Sequence, residues 1–479
     1  MVTKRAIHDT IVAMNDIFLT NTLTRKKEKF VPIKKGQVGI YICGPTVYRD
    51  IHIGNFRTYI MADILRRVLT YNGYKVKHIK NITDVGHMRI EEEGGAAFDP
   101  VIVEALKQGK TPQEIAETYT KQFFADEKRL NILPANIYPR ASDHIREMIE
   151  LIKVLLEKDY AYEANGTIYF NVKKFVSYGK LSGNTLNKID KLLEAVRVAT
   201  ETDKKETADF ALWKKAEKGR TLKWPSPWGE GFPGWHIECS AMSMKYLGTS
   251  FDVHTGGEDN IFPHHEDEIA QSEAATGKKF VNYWLHGGFL LVDGKKMARR
   301  EGNVYTVSDI IERGYNPLSF RYLCLTAHYR SRLNFTWDSL VAAENALSNL
   351  YREISLYVSE SKTNIGCAEY EERFLEAIND DLDMPRVLSV VWELVRSPYP
   401  PSAKLESLSK FDQILGLDFE KVAKESKKVS SEIKQLMAKR EEARAANDFA
   451  KADTLRKKIK ALGYEVVDTN KGQKLKKII

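Results

Sequence analysis

Four side chains in this sequence could together hold a metal ion. His264 and Glu268 follow Pro263, and a proline suits the first turn of a helix because its missing N–H costs nothing there. Residues four apart share one face of such a helix, so both side chains could reach one ion. The thiols of Cys43 and Cys239 would complete a tetrahedral zinc site. Taken alone, the stretch 256–271 favours an acidic helix with two solvated histidines, so other parts of the chain must decide.

The other histidine, glutamate and cysteine residues considered as metal ligands are given no metal role. His265 and Glu266 would lie elsewhere around the predicted helix and are assigned no ligand function. Cys324 and Cys367 match no motif and are predicted to be ordinary buried thiols. Four widely separated cysteines do not form a disulfide framework, so we expect free thiols or metal ligands.

A second set of residues could bind phosphate. His52, Gly54 and Asn55 lie between a predicted strand and a predicted helix. The first turn of a helix has unpaired N–H groups and the positive end of the helix dipole, and His52 can hydrogen-bond phosphate oxygens. Gly54 leaves room for a flat ring, and the basic run 295–300 could stabilise charge as pyrophosphate leaves a triphosphate. Each of these signals taken singly is also compatible with an ordinary polar or basic loop.

The residue pattern predicts a parallel sheet that would position these groups. Two apolar, β-branched runs flank a segment with helical spacing over 56–71, which makes a βαβ unit. Ligands bind at the carboxyl ends of strands in such sheets, where Cys43, His52 and Thr83 fall. The predicted strands lie at 38–43, 76–82, 251–255 and 284–291.

The predicted fold class is α/β, with several domains. We expect a doubly wound, Rossmann-like catalytic domain, then a helical bundle and a small mixed α/β domain. The predicted bounds are an N-terminal extension at 1–20, the catalytic domain at 21–335 with an insertion at about 85–222, the bundle at 336–417 and the last domain at 418–479. The last domain is predicted to contain one helix over 431–462, then Gly463 and a short strand.

Composition and charge narrow the classes of function. The 43% hydrophobic and 29% charged content is that of a globular protein, and no apolar run approaches the length of a membrane span. The first residues contain no signal-peptide core, so we predict a cytoplasmic protein. Residues 420–479 contain 17 Lys+Arg against 9 Asp+Glu, whereas the other 419 residues contain 56 of each. This basic segment predicts a polyanionic partner, with a solvated charged tail as the alternative.

Longer motifs connect these separate signals. The sequence contains Cys-Gly-Pro-Thr-Val-Tyr from Cys43, Pro-Gly-Trp-His-Ile-Glu-Cys-Ser-Ala-Met at 233–242 and Phe-Pro-His-His-Glu-Asp-Glu-Ile-Ala-Gln at 262–271. Residues 52–55 and 296–300 stand where class I aminoacyl-tRNA synthetases have His-Ile-Gly-His and Lys-Met-Ser-Lys-Ser. Over nearly its whole length the chain resembles that class and, within it, the cysteinyl-tRNA synthetase family.

The resemblance implies a reaction in two steps. Cysteine and ATP, with Mg²⁺, would give cysteinyl-adenylate and pyrophosphate, and the cysteinyl group would then pass to the 3′ end of tRNA(Cys). It also implies one zinc per chain, bound by Cys43, Cys239, His264 and Glu268, which would bind the substrate thiol. The chemistry is reasonable because size discriminates poorly between serine and cysteine, whereas zinc prefers a thiolate to a hydroxyl.

The resemblance further assigns roles to individual positions. Catalytic roles fall to His52, Asn55, Lys296 and Arg299. ATP binding is expected from these four residues with Gly54, Gly257 and Asp259. The cysteine pocket is expected from Gly44, Thr46, Thr83 and Trp235. Arg444, Asp453 and Asp468 match positions that contact anticodon bases; arginine can pair bidentately with guanine, and a carboxylate can accept from a cytosine amino group.

The sequence departs from the family pattern in three places. Asn55 replaces the second histidine of the first signature, and Ala298, Arg299 and Arg300 replace Ser-Lys-Ser in the second. After Asp84 the chain continues Val-Gly-His-Met, where many members have Val-Asp-Asp-Lys. Arg299 keeps a cation but not the compact ammonium of lysine. These changes bear on the rate of activation more than on the type of reaction.

Two other functions remain compatible with the sequence. One is a cysteine ligase that passes cysteine to an amino sugar; such relatives lack the C-terminal domain. The other is a degenerate paralogue that keeps zinc and RNA binding but has lost activation. The resemblance implies a monomer, and no membrane partner is expected.

Overall fold

The computed structural model describes residues 15–86, 99–184, 188, 203–298, 301–357, 365–469 and 472–477. These residues group into two compact units, one drawn from Met1–Glu344 and Leu375–Ser389, the other from Asn345–Phe374 and Val390–Ile479. No helix within the described ranges is both long and apolar enough to span a membrane.

The strands are short, and all but the last two belong to the first unit. In chain order they are β1 (Phe18–Asn21), β2 (Lys26–Lys29), β3 (Gln37–Ile42), β4 (Lys75–Lys80), β5 (Ala161–Ala164), β6 (Thr167–Phe170), β7 (Phe210–Lys215), β8 (Gly231–Pro233), β9 (Phe251–Gly257), β10 (Val281–Gly287), β11 (Leu290–Val292), β12 (Lys295–Lys296), β13 (Leu333–Phe335), β14 (Tyr464–Thr469) and β15 (Gly472–Lys477).

The helices surround the strands of the first unit and dominate the second. In chain order they are α1 (Ile53–Tyr71), α2 (Pro100–Gln108), α3 (Pro112–Arg129), α4 (Ile145–Glu157), α5 (Trp235–Leu247), α6 (Glu266–Thr276), α7 (Val307–Glu312), α8 (Pro317–Leu325), α9 (Trp337–Tyr357), α10 (Ala368–Asn379), α11 (Met384–Arg396), α12 (Pro401–Leu415), α13 (Phe419–Ala445) and α14 (Phe449–Ala461).

The central sheet of the first unit has four parallel strands in the order β10-β9-β3-β4. The apolar residues Ile40, Ile42, Ile79 and Val253 of its strands are buried, as expected for a sheet covered on both faces. The chain leaves β3 towards β4 on one side and later runs from β9 to β10 on the other. This reversal between β3 and β9 creates the crevice where doubly wound sheets bind ligands. The predicted fold class is therefore confirmed.

Helix α1 connects β3 to β4 and begins beside that crevice. The apolar residues predicted from its spacing, including Ile60, Ile64 and Leu65, are buried. Burial of each such side chain contributes roughly 1.5–3 kcal/mol relative to exposure. The helix ends before Gly73, whose φ of 86° is accessible to glycine at little cost. Packing therefore fixes the N-terminus of α1 at the carboxyl end of β3.

The chain between β4 and β9 adds helices α2–α4 and the antiparallel sheet β5-β6-β7-β8. Helix α3 begins with a capping box, in which Thr111 and Glu114 each accept from the other's backbone N–H. Except for β8, which lies at Gly231–Pro233, these elements fall in the predicted insertion at about 85–222, whose exact bounds stay a prediction.

The second unit is mainly helical. Phe374 and Phe411 stack with ring centroids 4.0 Å apart, and the Tyr351 hydroxyl donates to the Leu417 carbonyl at 2.8 Å. Leu350 and Ile354, which the sequence places on one apolar stripe, are fully buried. The helical periodicity predicted for this part of the chain thus corresponds to a packed core.

The single helix predicted over 431–462 is wrong, because the structure divides it into α13 and α14. Asn447 adopts a left-handed conformation with φ of 59°. The Asp448 side chain then caps α14 by accepting from the Lys451 N–H at 3.1 Å. Asparagine and aspartate favour these two positions, so Asn-Asp marks a helix break. Strand β14 confirms the predicted strand after Gly463 and pairs with β15.

Candidate active site and metal centre

Two loops at the carboxyl ends of β3 and β4 are hydrogen-bonded to each other. The Gly44 N–H donates to Asn81 Oδ1 at 2.8 Å, and the Thr83 N–H donates to the Pro45 carbonyl at 3.0 Å. A Cβ at position 44 would lie 1.6 Å from the Asn81 carbonyl oxygen, so only glycine fits there. These contacts fix the position of Cys43 at the edge of the sheet.

A cavity of about 300 Å³ lies at this edge. Its volume falls at the lower end of the range for small-molecule sites. The residues that line it come from the ends of β3, β9 and β10, the first turns of α1 and α5, and the strands β11 and β12. The predicted site residues among them are Cys43, Gly44, Thr46, His52, Gly54, Asn55, Trp235, Cys239, Gly257, Asp259 and Lys296. Motifs far apart in sequence therefore meet at one cavity.

The structure brings the four predicted metal ligands together. Cys43, Cys239, His264 and Glu268 each offer one ligand atom, and these atoms lie within 4.8 Å of one another. The two Sγ atoms are 3.8 Å apart, and Cys43 Sγ lies 3.7 Å from Glu268 Oε1. Two sulfurs, one imidazole nitrogen and one carboxylate oxygen are a donor set typical of zinc.

The hydrogen bonds around His264 fit a metal ligand. Its Nε2 is buried and lies 3.1 Å from Glu268 Oε1, but makes no hydrogen bond with any described residue. Its Nδ1 lies 2.8 Å from Nδ1 of His236, whose Nε2 lies 3.2 Å from Asp267 Oδ2. If His264 donates from Nδ1, its Nε2 keeps a lone pair for a cation. Asp267 and His236 therefore favour the tautomer that a metal needs.

The candidate ligands change one another's pKa. Burial raises the pKa of the Cys43 thiol well above its ordinary value. Burial acts in the same direction on Cys239, but Cys43, followed by His264, outweighs it and lowers that pKa to about 7. At Glu268 burial is outweighed by His254 and His264, which lower its pKa to about 2. At His264 burial is outweighed by Cys239 and Glu268, which raise its pKa to about 10. A cation would displace protons from this group, as thiolate and imidazole sites require.

A second arrangement shares two of these residues. His254 and His265, with Cys43 and Glu268, also form a group whose ligand atoms lie within 4.8 Å of one another. His265 Nε2 lies 3.4 Å from Cys43 Sγ, and His254 Nε2 lies 3.1 Å from Glu268 Oε2. Burial, and then the neighbouring His254, lower the pKa of His265 well below its ordinary value, so this imidazole is neutral.

The first turn of α1 forms the other end of the cavity. The Asn55 N–H donates to Nδ1 of His52 at 3.3 Å, so this nitrogen acts as an acceptor. The neutral ring then has its proton on Nε2, where it can donate to an anion. The first turn contains no acidic residue that would compete for its N–H groups. This end of the cavity therefore suits phosphate.

The second signature segment contacts this helix turn. Cε of Met297 would lie only 2.3 Å from a Cβ built on Gly54, so any larger residue there would displace the Met297 side chain. Asn303 spans the segment, because its Oδ1 accepts from the Ala298 N–H at 2.8 Å and its Nδ2 donates to the Lys296 carbonyl at 3.2 Å. The exposed Lys296 has its Nζ 4.5 Å from the centroid of the Phe289 ring. The predicted glycine turn before this segment is confirmed by Asp293 and Gly294, which join β11 to β12.

The predicted anticodon residues lie in the second unit. Arg444, on α13, donates from Nη1 to Asp468 Oδ2 at 2.7 Å. Arg440, one turn earlier, pairs with both oxygens of the same carboxylate at 2.9 and 2.8 Å. Asp453 is exposed on α14. The structure thus pairs two of the three predicted residues with each other.

Comparison with known proteins identifies the family. A family model described as the class I (C) tRNA synthetase catalytic domain matches residues 29–345. One described as the cysteinyl-tRNA ligase anticodon binding domain matches residues 426–474. The chain belongs to the cysteine–tRNA ligase family of class I aminoacyl-tRNA synthetases.

Relatives of this family match almost end to end. The chain is 44% identical over 461 residues to cysteine–tRNA ligase 1 of Burkholderia lata, covering 95% of this chain and 96% of that one. It is 42% identical to the Thermus thermophilus cysteine–tRNA ligase, with coverage of 95% and 98%, and 41% identical to that of Thermococcus onnurineus, with coverage of 96% and 98%. A solved methionyl-tRNA synthetase of Mycobacterium tuberculosis, in complex with methionyl-adenylate, shares the fold with a TM-score of 0.58 at 14% identity, covering 81% of this chain and 93% of that one.

The position of His265 corrects the prediction from helical spacing. The α-helix begins only at Glu266, after a short turn at Ile261–His265 in which Phe262 has extended angles (φ −142°, ψ 132°). Pro263 lies in the turn directly before α6. Phe262 alone in this turn has non-helical angles, and His265 is helical (φ −72°, ψ −29°). His265 therefore stands three residues before Glu268 on one helical face, and it contacts the cluster instead of facing away from it.

Thr83, which was predicted for the cysteine pocket, does not line the cavity. Thr83 is 2% exposed, and its hydroxyl donates to Glu238 Oε2 at 3.2 Å and accepts from Asn81 Nδ2 at 3.0 Å, so it supports the wall from behind. Arg299 falls outside the described residues. Trp235, by contrast, lines the cavity, and its ring centroid lies 4.2 Å from that of His264.

Arg57 is a structural residue of the site that the sequence analysis missed. It is 5% exposed and donates from Nη1 to the Gly288 and Phe289 carbonyls, both at 2.6 Å, and from Nη2 to that of Ser331. Gly288 and Phe289 line the cavity. The sequence contained one indication that Arg57 is buried. It lies three residues before Ile60 and therefore shares the buried face of α1.

Proposed function

We propose that this protein attaches L-cysteine to tRNA(Cys) in two steps, through a cysteinyl-adenylate, and that a zinc ion selects the cysteine thiol. One observation carries the proposal: the two-cysteine, histidine and glutamate group adjoins a cavity that also contains the α1 N-terminus. A thiol site and a phosphate site within one small cavity suit the activation of cysteine by ATP.

Zinc, when bound, would supply a soft partner for the thiolate of the substrate. Cys43, Cys239, His264 and Glu268 would hold it, and His236 with Asp267 would orient His264. The side chains alone distinguish cysteine from serine poorly, since oxygen and sulfur differ little in size. Gly44, Thr46 and Trp235 are proposed to enclose the amino acid, with Thr83 supporting that wall.

At the other end of the cavity, we assign ATP to the first turn of α1. Nε2 of His52 would donate to a phosphate oxygen, and Asn55 would add a neutral hydrogen bond. Gly54 and Gly257 would let the nucleotide approach the backbone, and Asp259, which lines the cavity, would accept from the ribose or the amino group. Lys296 and Arg299 are proposed to stabilise the charge that develops as pyrophosphate leaves, with Mg²⁺ accompanying ATP.

The second unit is proposed to recognise tRNA. Arg444, Asp453 and Asp468 would contact anticodon bases, which are unstacked and therefore open to hydrogen bonding. The proposed domain bounds remain 21–335, 336–417 and 418–479, preceded by the extension 1–20. The proposed state is a monomer that acts in the cytoplasm, where charged tRNA is used.

The test is cysteine-dependent ATP–pyrophosphate exchange, followed by charging of tRNA(Cys). We expect exchange with cysteine and none with serine, and we expect transfer of cysteine to tRNA(Cys). Transfer to an amino sugar instead would favour the alternative ligase. A folded, zinc-containing protein without exchange would favour the paralogue that has lost activation.

A further inference from the structure

Arg440 is a buried cation of the C-terminal segment and has several hydrogen-bond partners. It lies on α13, is 2% exposed, and donates from Nη1 to Asp468 Oδ1 at 2.9 Å and from Nη2 to Asp468 Oδ2 at 2.8 Å. Two parallel bonds between a guanidinium and a carboxylate fix both direction and distance. The Asp468 side chain on β14 is therefore held in one orientation relative to α13.

A further contact fixes Arg440 itself. Its Nη1 also donates to Gln473 Oε1 at 2.8 Å, and Gln473 Nε2 donates to the Met437 carbonyl at 2.7 Å. Gln473 belongs to β15, so these bonds run from α13 to the hairpin and back to α13. The guanidinium therefore depends on the hairpin for its position, and the hairpin depends on it.

The carboxylate of Asp468 still has capacity for a ligand. A carboxylate offers about four acceptor positions, and the bonds from Arg440 and Arg444 use three of them. The position left over is on Oδ1, and the Asp468 side chain is 41% exposed. The two arginines, Arg440 first, lower the pKa of Asp468, so it stays an acceptor at neutral pH.

Arg444 shares this arrangement but faces solvent. Its side chain is 44% exposed, and it donates to the same Oδ2 atom at 2.7 Å. Asp468 and Arg444 thus form a joined acceptor and donor pair at the surface, while Arg440 lies beneath them in the domain. All three fall within the segment that matches the anticodon-binding model.

We propose that Arg440 is a positioning residue for anticodon recognition: it holds Asp468, and through Asp468 the guanidinium of Arg444, in the orientation that contacts one base. The ligand would be an unstacked base that presents an amino or imino N–H to Asp468. This inference rests on the proposed function, because it concerns discrimination between tRNA anticodons. A purely structural role for Arg440 would instead affect all tRNAs equally.

The experiment compares charging of tRNA(Cys) with charging of variants altered at one anticodon base at a time. The full-length variants are Arg440→Lys, Asp468→Asn and the double variant, with Lys439→Gln as the control. Lys439 is the exposed neighbour of Arg440 on α13, so this control removes a positive charge without disturbing the pair. Gln473→Met is a second test, because it leaves Arg440 intact but removes one of its partners. Cysteine-dependent ATP–pyrophosphate exchange measures activation, and circular dichroism measures folding.

Discrimination here is the ratio of the charging rate of tRNA(Cys) to that of a tRNA altered at one anticodon base. We expect Arg440→Lys to reduce this ratio about tenfold at the same base as Asp468→Asn. Lysine keeps the positive charge but lacks the two parallel N–H donors of the guanidinium. The double variant should lose no more than Asp468→Asn alone, because the two residues act as one unit. Gln473→Met should show a smaller loss at that base. Exchange and helix content should match the wild type in Arg440→Lys, Gln473→Met and Lys439→Gln.

Three results would overturn the inference. One is unchanged discrimination in Arg440→Lys and Gln473→Met; another is an equal loss with every anticodon; the third is additive losses in the double variant. Failure of the wild-type protein to support exchange or charging would overturn the proposed function and this inference with it. The wild-type baseline therefore distinguishes the two failures.

Discussion

The two ends of the cavity are built differently. At the thiol end, Cys239, His264 and Glu268 are at most 1% exposed and are supported by further buried groups. At the phosphate end, Asn55 and Lys296 are exposed and have few restraints. Buried polar groups tolerate substitution poorly, because an unpaired one costs about 1–3 kcal/mol. The residues of the candidate metal group match the motifs of the family that the sequence resembles, whereas residues 52–55 and 296–300 depart from them, as this difference in support would allow.

The largest effect should follow removal of a metal ligand. Cys239→Ala should reduce zinc content and lower cysteine-dependent exchange more than 100-fold, since even an outer partner of a metal ligand is worth roughly 10–100-fold. Zinc content and exchange are measured on the same preparation. Cys324→Ala, at a buried thiol outside the cluster, is the matched control and should keep both. A Cys239→Ala protein with full zinc and activity would contradict the assigned ligand set.

The next effect tests the support behind the ligands. His236→Ala removes the partner of His264 Nδ1, so we expect about 10–100-fold weaker zinc binding, measured by competition with a chelator. Exchange should fall at limiting zinc and recover when zinc is added. Activity that stays low in excess zinc would show that His236 acts on the substrate and not through the metal site.

A smaller effect is expected in the wall shared by both ends. Arg57→Lys replaces a fork that serves three carbonyls, and we expect a loss of about 2 kcal/mol in the free energy of unfolding, from a buried carbonyl left unpaired. Denaturant unfolding measures it. Arg66→Lys, about two and a half turns further along α1 at a partly exposed arginine, is the control and should change stability little. Equal losses of unfolding free energy in Arg57→Lys and Arg66→Lys would contradict a specific role for Arg57.

The smallest effect should come from the phosphate end. Asn303→Ala removes both contacts across the second signature segment, and we expect about a fivefold loss in kcat/KM for ATP, as for one or two hydrogen bonds. The KM for cysteine should not change. Asn303→Asp keeps the acceptor for the Ala298 N–H and should recover part of the loss. A change in the KM for cysteine of similar size would contradict the separation of the two ends.

Much of the fold and the metal group could be predicted, because both depend on local patterns. The βαβ spacing predicts the parallel sheet, and long motifs single out Cys43, Cys239, His264 and Glu268. The contact between His265 and Cys43 was missed, although His265 precedes Glu268 by three residues and therefore shares its helical face.

Other features depend on partners distant in sequence. Arg57 donates to carbonyls more than 200 residues away, which no local pattern specifies. The pairing of Asp468 with Arg440 likewise needs the fold of the hairpin against α13. The helix break at Asn447 was different, because its Asn-Asp signal was present in the sequence and was outweighed by helical periodicity.

The most direct test of the central claim is X-ray absorption at the zinc K-edge, measured on the protein before and after addition of cysteine. The account predicts two sulfur and two lighter ligands at first, then a third sulfur at about 2.3 Å with cysteine and none with serine. A sulfur count that does not change with cysteine, or a protein that binds no zinc, would contradict it.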